Sequence, residues 1–187
     1  MFSAPAILGL PETLGEIEFA VAGCVPRLRP AYRKRRLDFW VKQLVLPSLG
    51  PVHTGSGHRR AFHPETKYYA ALLLKIAQFG SNVEILKAIV QQIITALQRD
   101  DDFCRLWEEA KELRNAELYG PVWAVIGIAL GDDGDKPAAT WVRLKHAEGR
   151  HYHNAPGVDI SPVDPLVPDY LITVKLTDTF HGMRRIG

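Results

Sequence analysis

Ten cations crowd into one short stretch of this chain. Between residues 25 and 67 stand Arg27, Arg29, Arg33, Lys34, Arg35, Arg36, Lys42, Arg59, Arg60 and Lys67, against two acids, Asp38 and Glu65. The formal charge of the whole chain is only +2, so the remainder is net acidic and the positive field is focused on this stretch. A focused basic field is the electrostatic footprint of a polyanion partner. Guanidinium forks grip phosphate oxygens two at a time, and ammonium groups act on them as point charges. Tyr32, inside the run, reads either as a ring stacked near a phosphate or as a cover for a helix start. A merely solvated charged face is the competing reading of the same residues.

The other chemistry-bearing residues are sparser. His151-x-His153 places two imidazoles on one side of an extended segment, with His146, Glu148 and Asp159 near in sequence. No cysteine and no regularly spaced fourth ligand joins them, so a polar loop is expected rather than a metal site. Asp132-Asp133-Gly134-Asp135 lacks the spaced acids and closing Glu of a calcium loop and reads as a hairpin turn. There is no Walker loop, dinucleotide glycine fingerprint, nucleophile elbow or HExxH motif. The expectation is therefore a non-enzyme with no catalytic residues and no cofactor. Cys24 and Cys104 stand far apart and form neither a disulfide framework nor a zinc pattern.

Hydrophobic spacing supplies the elements that would position the cations. Pro11 to Ala22 reads as a first helix, with Leu14, Ile17 and Val21 at helical spacing. Pro30, in the first-turn position that proline tolerates, opens a second, basic helix through Gln43. Leu37, Trp40, Val41 and Leu44 form its apolar stripe, and Phe39 and Trp40 are the expected core anchors. Residues 51–62 read as a β-hairpin around Gly55-Ser56-Gly57. His63-Pro64-Glu65-Thr66 starts a third helix to about Gln78. A fourth runs from about Val83 to Gln98 and, with its broad apolar stripe, is expected to be buried on two sides. The acidic run Asp100-Asp101-Asp102 interrupts it before a fifth helix to about Ala116. From Tyr119 onward the chain reads as β, with strands at Val122–Leu130, Ala139–His146 and Tyr170–Leu176 separated by turns and a long loop over 147–169. Three strands need a covering surface, for which the fifth helix is the candidate.

Helix, turn, basic helix, hairpin, helix is the physical design of a winged helix-turn-helix, in which the second helix enters the major groove and the hairpin reaches the backbone. The segment Leu37-Asp38-Phe39-Trp40-Val41-Lys42-Gln43-Leu44-Val45-Leu46-Pro47 resembles the recognition-helix stretch of the MerR family. There, Leu-Arg-Tyr-Tyr/Trp-Glu leads to Gly-Leu-Leu and then proline. Gly57 followed by Arg60-Ala61-Phe62 is similar to that family's wing signature. Leu72 to Ile85, with its Phe79-Gly80-Ser81-Asn82 turn, is similar to its paired-helix segment. The similarity spans about residues 14–95. Asp38 stands where the family has arginine, and additional residues, including Arg27 to Arg33, precede Leu37. The resemblance implies a winged DNA-binding fold and often a homodimer. The family's long dimerisation helix would be split here by the Asp100–Asp102 run, giving a short helical hairpin and leaving dimerisation open.

These readings predict an α+β chain. Residues 1–98 would form a MerR-like winged helix-turn-helix with a helical extension, 99–118 a connecting helix and 119–187 a small antiparallel β-rich domain. The expected function is sequence-specific binding of double-stranded DNA, as a transcriptional regulator. An accessory protein of a phage or mobile element, or a protein-interaction module, is the alternative. The expected DNA-binding set is Arg27, Arg29, Tyr32, Arg33, Lys34, Arg36, Lys42, Arg59 and Arg60. No run of about eighteen apolar residues and no signal-peptide pattern is found, so a cytoplasmic protein without a membrane partner is expected. Nothing in the sequence names an effector.

Overall fold

The computed structural model describes residues 10–49, 60–80, 82–112, 120–131, 137–146 and 168–184. Within them the chain is a mixed α+β structure of six α-helices and two small antiparallel sheets. A two-residue strand, β1 (Glu12–Thr13), leads directly into α1 (Leu14–Val21). The helix begins later than the apolar spacing suggested because Thr13 closes a capping box. Its hydroxyl accepts from the Glu16 amide, while the Glu16 carboxylate accepts from the Thr13 amide at 2.6 Å.

Helix α2 spans Pro30–Lys42, with proline in its first turn as expected. After it, Leu49 forms an isolated antiparallel bridge with Ala61, and β2 (Ala61–Phe62) pairs antiparallel with β1. The short sheet thus ties the chain before α1 to both ends of the segment 50–60. Most of the expected hairpin, including Arg59, lies outside the described residues.

Helix α3 (Thr66–Ile76) continues into a 3-10 turn over Ala77–Phe79 and ends at Gly80, whose φ of 85° places it in the left-handed region that glycine tolerates. Every residue from Tyr69 to Leu74 is buried. A helix buried all round is central to its fold, and α3 packs against α1 and also against the C-terminal elements. Asn82 caps α4 (Val83–Arg99), and Asp100 caps α5 (Asp101–Lys111) by accepting from the Phe103 amide at 2.9 Å. The expected interruption at the acidic run is therefore a cap between two separate helices.

The second sheet has the order β4-β3-β5, all antiparallel, from β3 (Val122–Leu130), β4 (Pro137–His146) and β5 (Tyr170–Lys175). Both α4 and α5 pack on it, so the expected cover includes a second helix. The chain does not stay extended through Leu176. It turns into α6 (Leu176–His181), whose Leu176 and Phe180 enter the core. Phe180 meets Trp107 and Tyr68 edge-on at centroid distances of 5.0 and 4.9 Å, geometry that adds roughly 1 kcal/mol per pair beyond area burial. One hydrophobic cluster runs from Ile17 and Trp40 through α3 to Trp107, Ile126 and Phe180. The N-terminal helices and the sheet thus share a core.

Candidate nucleic-acid interface

The basic helix α2 is positioned by one buried face. Arg33, Leu37, Trp40 and Val41 recur at i, i+4, i+7 and i+8 and are all buried. The opposite row at helical spacing is Arg35, Phe39 and Lys42, all exposed, with exposed Ala31 and Tyr32 beside its N-terminal end. Lys34 is exposed on one flank, and half-buried Arg36 lies on the other. The Arg36 guanidinium sits over the Tyr32 ring at 5.1 Å and near the Trp40 ring at 5.7 Å. Arg36 is thus fixed against two aromatics, and Tyr32 is its platform.

Several expected residues are placed as anticipated. Arg27 and Arg29, in the turn before α2, are exposed, as are Lys34 and Lys42. Arg60 is half-buried at the start of β2. Arg33 requires a correction. It is only 7% exposed. One terminal nitrogen donates to the Leu28 carbonyl at 3.4 Å, and the other lies 3.8 Å from Glu18 of α1. The reason is angular: Arg33 shares the buried face with Leu37 and Trp40, so its guanidinium clamps α2 to the preceding turn and to α1.

Two surface residues escaped the sequence reading. Arg35, left out of the expected set, lies opposite the buried face, and helical spacing from Leu37 and Trp40 could have found it. Phe39, expected in the core, is 44% exposed. Its neighbour Trp40 alone fills the anchor role at 2% exposure.

The electrostatics of α2 run against its own stability. Its first turn has no acid and its N-cap, Arg29, makes no side-chain capping bond. Lys34, Arg35 and Arg36 follow within two turns, near the positive end of the helix dipole, where cations are disfavoured. An anion set against this end would satisfy free amides and offset the clustered charge.

The histidines divide. His63 serves the start of α3, its Nδ1 accepting from the Glu65 amide at 3.2 Å. His146, at the end of β4, lies 2.9 Å from a Glu109 carboxylate oxygen. His151, His153, Glu148 and Asp159 lie outside the described residues. Among the described residues, no group of three or more His, Cys, Asp or Glu is placed to hold a metal ion, and no helix is long and apolar enough to cross a membrane. Compared with protein-family models, curated proteins and solved structures, the chain shows no match to any of the three.

Proposed function

We propose that the N-terminal half is a MerR-like winged helix-turn-helix that binds double-stranded DNA in a sequence-specific way, and that the protein is a transcriptional regulator. The observation that carries this reading is the outward row of α2, where Arg35 and Lys42, flanked by Lys34 and Arg36, face away from the core. Support also comes from the small sheet. Leu49 and β2 are antiparallel neighbours, so the segment between them leaves and returns beside α2 as a wing would. Arg60 lies at its return. In this reading Arg27, Arg29, Lys34 and Lys42 meet phosphates, Arg35 reaches the groove, and Arg33 only holds the helix in place. Phosphate contacts orient the protein and base contacts select the sequence.

The test is a fluorescence-anisotropy titration of a random duplex of about thirty base pairs at several salt concentrations. Binding should weaken steeply with salt. A variant with Lys34, Arg35 and Lys42 changed to Ala should bind weakly, with a log–log salt slope lower by about 3, roughly one per lost phosphate contact. Arg33→Met should melt earlier yet keep the wild-type slope. A folded wild-type protein that binds no duplex at low salt would overturn the reading and leave the basic face as a contact for an acidic protein surface.

A further inference from the structure

We infer that Phe39 reads thymine, through contact of its ring with the C5-methyl group in the major groove; this rests on the DNA-binding reading above. The argument begins with a misplaced residue type. Phenylalanine is ordinarily among the buried residues, yet this ring is 44% exposed in the middle of the outward row of α2. Arg35 stands one turn before it and Lys42 one turn after. The ring is therefore an apolar spot inside a cationic field.

Charge decides what can cover it. A second copy of the chain docking face to face through α2 would set Arg35 and Lys42 against the same residues of its twin, because a two-fold interface is self-complementary. Like charges would then be desolvated together. A polyanion matches the field on both sides of the ring, and DNA is a polyanion with a partly apolar floor.

The chemistry of that floor selects the base. Major-groove edges present acceptors on guanine, a donor and an acceptor on adenine, a donor on cytosine, and on thymine an acceptor beside a methyl group. A phenyl ring has no donor or acceptor. Pressed onto guanine, adenine or cytosine edges, it would strip water from polar atoms and replace none of their hydrogen bonds. Only the thymine methyl gains from the contact. Gln43, exposed one turn further along the same side of the helix, carries the donor–acceptor pair that matches adenine, the partner of thymine. The site selected by this helix should accordingly contain a thymine in each half-site facing the middle of α2.

The experiment uses the full chain. A preferred site is selected from a random duplex library, and each thymine is then replaced in turn by deoxyuridine, which lacks only the methyl group. At one or two positions the wild type should weaken by about three- to five-fold, the ratio that burying one methyl group corresponds to. Phe39→Ala should bind the thymine duplex more weakly, lose the thymine–uracil difference at those positions, and still bind random duplex with the wild-type salt slope. Wild-type binding that is indifferent to every deoxyuridine, or a methyl preference that survives in Phe39→Ala, would overturn the inference while leaving DNA binding intact. Absence of binding to any duplex would overturn the DNA reading itself.

Discussion

The backbones of Gly23 and Gly182 touch: a Cβ built on Gly23 would lie 1.9 Å from the Gly182 carbonyl oxygen. Gly23 belongs to the turn between α1 and α2, and Gly182 ends α6. Around this contact the Cys24 thiol donates to the Thr179 carbonyl at 3.0 Å, and the Arg184 amide donates to the Ala20 carbonyl at 2.8 Å. The last described residues of the chain thus brace the turn that sets α2 on α1. The positioning of the basic helix depends on a segment about 160 residues away in sequence.

The two glycines should respond unequally to substitution. At Gly23 an added methyl meets backbone, which cannot rotate away, so Gly23→Ala must displace α6 or the turn. At Gly182 the nearest atom lies 3.1 Å from a built Cβ, and its φ of −69° suits any residue. Gly23→Ala is expected to cost about 2–4 kcal/mol, in the range of severe overpacking, and Gly182→Ala under about 1 kcal/mol. Urea unfolding of both variants checks this. Equal losses would mean that the contact relaxes at little cost.

How much of this was legible beforehand depends on the range of the cause. The start of α2 is written locally, in Pro30, and the central strand β3 in an unbroken apolar run. The face of α2 that carries Arg35 was legible in principle, because the spacing of Leu37, Trp40 and Val41 determines it. Arg33 was misjudged by its residue type within a basic run, and Phe39 by the habit of burying aromatics. Helix α6 was not legible. Six residues, Leu-Thr-Asp-Thr-Phe-His, are too few for a period, and they are held helical by Leu176 and Phe180 packing on Trp107 and Tyr68, contacts made across the whole chain.

Glu65, one of the two acids in the basic stretch, links α3 to α5. One carboxylate oxygen accepts from the Trp107 indole nitrogen at 2.8 Å, and the other pairs with Lys111 at 2.6 Å. Lys111 is largely buried, also pairs with Glu108 and lies 4.7 Å from the Tyr68 ring centroid. Glu65→Gln keeps the volume but cannot accept from both partners. If its carbonyl oxygen serves Trp107, its amide donors face the ammonium. A loss of about 2–3 kcal/mol is expected, since removal of one partner leaves buried polar groups unpaired. A chemical-denaturation midpoint equal to wild type would show that Glu108 alone satisfies Lys111.

Stability should fall at alkaline pH. Burial pushes the Cys24 thiol from its ordinary 9.0 to about 11, against the opposing pull of Lys75. Burial, then Glu65, Glu108 and Glu12, push Tyr68 from 10.0 to about 12. Both groups hold their protons more tightly folded than unfolded. Their contribution is therefore complete below about pH 9 and is lost as pH rises through 11 and 12. Urea midpoints should drop between about pH 8 and pH 10.5, with a shallower drop in Cys24→Ser, whose hydroxyl does not titrate there. At about pH 8 the Cys24 thiolate is only about one part in a thousand, so alkylation should reach the more exposed Cys104 first. A flat midpoint, or a slope unchanged in Cys24→Ser, would contradict this account.

Leu44 offers the opposite sign. It follows the end of α2 with φ of 59°, in the left-handed region. The Val45 amide reaches back to the Trp40 carbonyl at 2.8 Å and the Leu44 amide to Val41 at 3.2 Å, the bonding of a Schellman cap. That position favours glycine, and the resembling family motif has glycine at the corresponding point. Leu44 is 62% exposed, so its side chain gains little burial in return for the strain. Leu44→Gly should stabilise the fold by about 0.5–1 kcal/mol, a rise of about 1–4 °C in Tm for a chain of this size. Leu44→Ala separates the causes: it keeps the strained φ and discards the side chain, so it should melt at or below wild type. If both variants melt earlier, the Leu44 side chain contributes more to the turn than its backbone costs, and the exposed leucine must be read as part of the surface that α2 presents.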